Sequence, residues 1–96
     1  MDGGRIYRKR AEVVSRQIAG ESLLIPIHGR LADMQKIFAL DPVAECIWGQ
    51  INGDRSLEEI LRHILSVFDV AEEQARSDLA EFVAQLVEAG LIEEAA

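Results

Sequence analysis

Hydrophobic and polar residues follow different periods in the two halves of the chain. Residues 12–18, 22–27 and 35–40 are short, partly alternating apolar stretches, which is typical of β-strands. Gly20 and Gly29 lie between them, and glycine accepts the positive φ that a tight turn requires. The first half therefore predicts three short antiparallel strands joined by turns.

From Asp41 onward, apolar residues recur every three or four positions, which is the period of an amphipathic helix. Asp41 is a good N-cap, and Pro42 is favoured at the first helical position. Ser56 and Glu59 have the spacing of a capping box at the start of a second helix. The pattern predicts three helices, the last of which ends before Gly90.

Strands followed by helices favour an α+β fold, in which helices segregate from a small antiparallel sheet. The short helices with tight turns indicate a winged-helix-like domain, with three N-terminal antiparallel strands followed by a three-helix bundle. We expect residues 1–11 to be a flexible basic arm, residues 12–92 a single domain and residues 93–96 an acidic tail.

Composition narrows the description of the core. The chain of 96 residues is 49% hydrophobic but only 5% aromatic, so its core must consist mainly of Leu, Ile, Val and Ala. The single tryptophan, Trp48, shares the inner stripe of the first predicted helix with Ile47 and Ile51. We expect Trp48 to be a core residue and not a platform for a ligand.

The net charge of −7 conceals an asymmetry between the two halves. Residues 1–36 carry seven basic and four acidic residues, a charge of +3, whereas residues 37–96 carry three basic and thirteen acidic residues, a charge of −10. Three helices with a possible wing could suggest a DNA-binding regulator, but Arg76 is the only basic residue of the third predicted helix. Its acidic residues would be repelled by phosphates, so we expect no nucleic-acid partner.

The sequence contains few residues in arrangements that are typical of catalytic sites. His28 and His63 have no nucleophile in a recognisable motif, and Cys46 has no partner at metal-binding spacing. We therefore expect no enzymatic activity, no cofactor and no metal. No apolar run approaches the ~18 residues that cross a bilayer, so we expect a cytoplasmic protein without a membrane partner.

The edge of the predicted sheet remains as a binding opportunity. If the third strand is an edge and the third helix lies beside it, the groove between them can accept a peptide as an added strand. The residues expected to line this groove are Lys36, Ile37, Phe38, Ala39, Gln74, Arg76, Ser77 and Glu81. Alternatively, the same edge pairs with a second copy in an interaction or dimerisation module, which leaves a monomer or a weak homodimer open.

The helical half also carries a distributed pattern of residues. It comprises Leu40 with Asp41, Ile47-Trp48, Gly53, Ser56 to Ile60, Asp78, Phe82, Leu86 and Gly90-Leu91. In these positions the chain resembles the PqqD-like family, the peptide chaperones that serve synthesis of coenzyme PQQ and related modified peptides.

The resemblance implies that the protein binds the leader of a ribosomally made precursor peptide. In the family, the leader adds as a strand against the third strand and the third helix. The resemblance further implies a partner that modifies the peptide, a radical S-adenosylmethionine (radical SAM) enzyme or another maturase, to which any cofactor would belong.

Overall fold

The computed structural model describes residues 2–10, 13–26 and 38–95. Within these ranges, five strands and three helices follow the order β1, β2, β3, β4, α1, α2, α3, β5. The strands are β1 Tyr7–Lys9, β2 Val13–Ile18, β3 Glu21–Pro26, β4 Phe38–Leu40 and β5 Ile92–Glu94, and the helices are α1 Pro42–Gln50, α2 Leu57–Val67 and α3 Glu72–Glu88. The predicted α+β architecture, with a sheet followed by three helices, is confirmed.

The main sheet is antiparallel, with β3 in the centre and β2 and β4 on either side. Ala19 and Gly20 both have positive φ, which is the geometry of the two-residue turn that suits the twist of a hairpin. On β3, Leu24 is opposite Phe38 and is fully buried against the helices. In this strand order, β4 is an end strand of the described sheet.

A second, two-stranded sheet corrects the expectation for both chain ends. Residues 7–9 are not a loose arm, and residues 93–94 are not a free tail, because β1 and β5 pair with each other. Arg8 Nη2 lies 2.9 Å from Glu93 Oε2 across this pairing. Tyr7 is only 9% exposed and belongs to the core. Burial of its side chain removes apolar surface from water and thereby helps to hold β1 beside β5.

The helix ends follow the local signals of the sequence. Asp41 Oδ1 accepts a hydrogen bond from the backbone N–H of Ala44 at 2.8 Å. The predicted capping box is present, since Ser56 Oγ accepts from the Glu59 N–H and the Glu59 carboxylate accepts from the Ser56 N–H. These contacts satisfy backbone donors that the first turn of a helix leaves free.

One hydrophobic core lies between the helices and the inner faces of the two sheets. Its fully buried large side chains are Leu24, Ile47, Ile51, Ile60, Leu61, Ile64, Leu79, Leu86 and Leu91. Trp48 is 7% exposed and belongs to this core, which confirms the prediction made from helical spacing. None of the described helices is both long and apolar enough to cross a membrane.

Candidate functional site

A groove of about 300 Å³ opens between the sheet and the helices. Strand β4 and the beginning of α1 form one side, and the middle of α3 forms the other. The lining residues are Phe38, Ala39, Asp41, Val43, Ala44, Ile47, Asp78, Glu81, Phe82 and Gln85. The groove therefore lies where an end strand runs beside a helix.

Two local features of the sequence produce this arrangement. The cap at Asp41 turns the chain from β4 into α1 with a single intervening residue, so the strand and the helix stay close. On α3, Asp78, Phe82 and Gln85 follow each other at intervals of four and three residues. Because residues at these intervals lie on one face of a helix, they line the same side of the groove.

The base of the groove is apolar and rests on the core. Phe38, Val43, Ala44 and Phe82 are partly buried and pack against the core cluster. Ile47 is only 2% exposed and continues the apolar surface downward. Such a base can receive an apolar side chain from a ligand, because burying that side chain removes apolar surface from water.

The side of the groove formed by β4 offers main-chain pairing. The strand is the terminal member of the described three-stranded sheet, and Ala39 is exposed at its middle. An end strand can pair with an added extended segment through its backbone groups. The groove thus combines an apolar base with a possible partner for a β-strand.

The rim of the groove is acidic. Asp41, Asp78 and Glu81 are exposed, and none of the described residues that line the groove is basic. Asp78 Oδ1 accepts a hydrogen bond from Gln74 Nε2 at 2.8 Å, which orients the carboxylate without neutralising its charge. The site therefore has a negative rim above an apolar base.

The side of α3 that faces α2 has a different charge arrangement. Arg76 Nη1 donates to Glu58 Oε2 at 3.1 Å, and Arg76 Nη2 lies 3.5 Å from Glu72 Oε2. Arg62 also reaches Glu58, at 3.5 Å. The hydrogen bond from Arg76 lowers the pKa of Glu58, and the same contact raises the pKa of Arg76. On this side, acidic and basic side chains are paired.

The structure brings three of the residues predicted for the site together. Phe38 and Ala39 line the groove from β4, and Glu81 lines it from α3. Lys36 and Ile37, which we expected to extend the same strand, lie outside the described residues.

The other three predicted residues occupy different positions on α3. Gln74 contacts the groove residue Asp78 through its side chain. Ser77 is exposed one turn before Glu81 but is not among the lining residues. Arg76 faces α2, where it is hydrogen-bonded to Glu58, so it does not reach the groove.

Several residues that line the groove are not predicted from the sequence. Ile47 belongs to the inner stripe of α1, and Asp78 and Phe82 belong to the pattern shared with the PqqD-like family, but neither observation places these residues at a groove. The helical interval from Asp78 to Phe82 and Gln85 was the available signal. This interval identifies groove residues only when it is known which face of α3 lies beside β4.

A larger concave region of about 450 Å³ lies on another side of α3. It is lined by Asp2, Arg5, Tyr7, Leu57, Ala80, Val83, Ala84, Val87 and Glu88. Strand β1 borders this region, but it already pairs with β5 on one edge. Its other edge is used as well, because Gly53 N–H donates to the Tyr7 carbonyl and Leu57 N–H to the Arg5 carbonyl, each at 2.9 Å. Among the described residues, this region therefore offers no unpaired strand for a peptide to join.

Metal-binding side chains do not cluster in the described part of the chain. No group of three or more His, Cys, Asp or Glu side chains there could hold a metal ion. Cys46 is half-buried on α1, and burial raises the pKa of its thiol, which disfavours the reactive thiolate.

Comparisons with known proteins place this geometry in a family. The model of the family described as coenzyme PQQ synthesis protein D (PqqD) matches residues 21–92. A solved structure of TbiB1 in complex with the TbiA(beta) leader peptide is similar, with 27% sequence identity and a TM-score of 0.70, over 90% of this chain and 94% of that one.

A second similar structure is lasso peptide synthetase B1 complexed with the leader peptide. Its TM-score is 0.72 at 21% identity, over 91% of this chain and 96% of that one, and it supports the fold. No curated protein matches the chain. Because the family match covers most of the sequence, the chain belongs to the PqqD family.

Proposed function

We propose that the protein is a non-catalytic peptide-binding chaperone for the leader of a ribosomally made precursor peptide. The leader adds as a strand to β4, lies beside α3 and is presented to an enzyme of PQQ biosynthesis or a related peptide modification. The observation that carries this proposal is the groove between an end strand and α3, in a chain 27% identical to one solved with a leader peptide.

Each wall of the groove has a separate part in this proposal. Strand β4 supplies main-chain hydrogen bonds around Ala39, which hold an extended segment whatever its sequence. The apolar base around Val43 and Phe82 receives an anchoring side chain, which selects among segments. Phe38, Glu81 and Gln85 border the bound segment, and Gln74 and Ser77 extend the α3 wall.

The chemistry belongs to a partner in this proposal. A radical SAM enzyme or another maturase modifies the peptide core and holds any cofactor, while this protein holds the leader. Such a division of labour is consistent with a site that combines an apolar base, a strand edge and exposed carboxylates.

Calorimetric titration tests the proposal with the leaders of precursor peptides encoded beside the gene. Phe82→Ala removes the aromatic side chain from the groove, and we expect the affinity for the cognate leader to fall by more than tenfold. Val87→Ala is the matched control, because Val87 is 44% exposed on α3 and lines no part of the groove. Circular dichroism verifies that both variants are folded.

Two results would contradict the proposal. Equal affinities of Phe82→Ala, Val87→Ala and the unaltered protein would place the peptide elsewhere. A stable dimer that ignores every candidate leader would instead favour pairing of two copies through an exposed edge.

A further inference from the structure

We infer that the leader segment seated in the groove carries Lys or Arg next to its apolar anchor, so that the protein selects a basic recognition segment. This inference rests on the proposed function and adds the chemical class of the sequence that the groove accepts. It follows from the charge around the apolar base and from the contrast with the opposite side of α3.

The carboxylates stand on both sides of the apolar base. Asp41 lies at the junction of β4 and α1, and Asp78 and Glu81 lie on α3. A segment anchored between Val43 and Phe82 would therefore pass acidic groups on either side. A Lys or Arg adjacent to the anchor can reach one of these carboxylates, whereas Asp or Glu would be repelled.

The described part of the chain does not neutralise these three carboxylates. Asp41 accepts from a backbone N–H and Asp78 from a side-chain amide, and neither donor carries a charge. No salt bridge within the described residues involves Glu81. Within the part of the chain that the structure describes, the acidic rim therefore keeps its negative charge.

On the opposite side of α3, by contrast, acidic side chains form ion pairs with basic side chains of the protein itself. There, Glu58 and Glu72 share Arg62 and Arg76 at distances from 3.1 to 3.9 Å. Arg62 of α2 and Arg76 of α3 are therefore both paired with carboxylates on that side. On the groove side of α3, none of the described lining residues is a cation that could pair with the acidic groups.

Because the carboxylates of the rim are exposed, we expect one charge to change the affinity for a peptide only modestly. An exposed ion pair adds little, and reversing one member replaces a modest attraction by a modest repulsion. We expect one charge reversal on the rim to weaken binding roughly three- to tenfold at low salt. At about 1 M salt the screening length falls to about 3 Å, so the difference should largely disappear.

A displayed library of random peptides provides the test without prior choice of a leader. The library is selected against the full-length protein, and selected peptides are synthesised and mapped through the amide signals of Ala39 and Phe82. We expect peptides that bind the groove to be enriched in Lys or Arg within a few positions of an aromatic or aliphatic residue.

Two charge reversals on α3 make the test specific. Glu81→Lys alters the rim, while Glu73→Lys reverses an exposed acidic residue of the same helix that does not line the groove. The selected peptides should bind Glu81→Lys roughly three- to tenfold more weakly, and Glu73→Lys within about twofold of the unaltered protein.

The outcomes separate the inference from the proposed function. Peptides that map to the groove without basic enrichment, and bind Glu81→Lys as tightly as Glu73→Lys, would overturn the inference and leave the proposed function standing. Failure of every selected peptide to map to the groove, or failure to select any, would overturn both.

Discussion

Trp48 connects the helical half of the molecule to its N-terminal strand. Its ring is buried in the core from α1, and Lys9 Nζ of β1 lies 5.0 Å from the ring centroid. Such a position allows a cation–π attraction in addition to apolar packing. Partial burial near this contact lowers the pKa of Lys9. A single side chain thus joins elements that are far apart in sequence.

Truncating this ring should strongly destabilise the fold. We expect Trp48→Ala to lower the free energy of unfolding by about 3–5 kcal/mol, because a large buried side chain leaves a cavity. That is a large part of the ~5–15 kcal/mol available to a domain. Urea denaturation followed by circular dichroism measures the change. Unfolding at the same urea concentration as the unaltered protein would contradict the assignment of Trp48 to the core.

The capping box at the start of α2 should also contribute to the stability of the fold. Ser56→Ala removes the acceptor for the Glu59 N–H, and we expect a loss of about 1 kcal/mol of stability. Ser77→Ala is the control, because Ser77 is exposed within α3, away from its first turn. Thermal melts of both variants provide the comparison. A larger loss for Ser77→Ala than for Ser56→Ala would contradict the role of the cap.

Strands β1 and β5, which are far apart in sequence, pair with each other in a two-stranded sheet. The residue pairs Tyr7 with Glu94 and Lys9 with Ile92 define an antiparallel register. The backbone of β1 also receives the Gly53 N–H from the turn before α2. The N-terminal segment therefore belongs to the folded domain and supports the start of α2.

Removing the apolar contact of β1 should reveal its contribution. We expect Tyr7→Ala to lower the free energy of unfolding by about 3 kcal/mol, since Tyr7 is a buried aromatic residue of the core. Ile18→Ala serves as control, because Ile18 is 52% exposed and should cost within about 0.5 kcal/mol. Denaturant titration of the two variants checks the difference, and equal losses would show that β1 is only loosely attached.

The elements predicted from sequence share one property, which is that their signals are local. The caps at Asp41 and Ser56 involve partners three residues away, and the helical stripes repeat within one element. Pairing of β1 with β5 could not be predicted, because Tyr7 is the only residue of β1 that the core buries, and a three-residue strand shows no alternation. Its partner lies at the other end of the chain.

The site was predictable in part for the same reason. The third strand and third helix could be named, and Phe38, Ala39 and Glu81 do line one groove. Which residues of α3 face the groove depends on how α3 packs against α2. That packing cannot be deduced from the local sequence pattern. For this reason the sequence predicts Arg76 at the groove, although its side chain binds Glu58, and does not predict Phe82, which lines the groove.

At the scale of the whole molecule, ion pairs connect segments that are distant in sequence. Arg8 and Glu93 join β1 to β5, and Arg76 and Glu58 join α3 to α2. The hydrogen bond from Arg8 lowers the pKa of Glu93, and the hydrogen bond from Arg76 lowers that of Glu58. These carboxylates therefore bind protons more weakly in the folded protein than in the unfolded chain.

This difference predicts a loss of stability in acid. The contribution of Glu93 is fully present above the ordinary glutamate pKa and disappears as the pH falls through its lowered folded-state pKa. We expect Glu93→Gln to lower the melting temperature near neutral pH and to flatten its decline between about pH 5 and pH 3. Glu73→Gln is the control, since Glu73 is exposed on α3. The same slope for both variants would contradict the role of the Arg8 contact.

A ¹⁵N-HSQC titration with leader peptides encoded near the gene shows directly whether a peptide binds in the groove beside β4. We predict that the amide signals of residues 38–40, 43–47 and 78–85 shift together and saturate with the cognate leader, while those of the α2 residues 60–67 stay in place. Shifts confined to residues 2–10 and α2, with none in residues 38–40, would contradict the account.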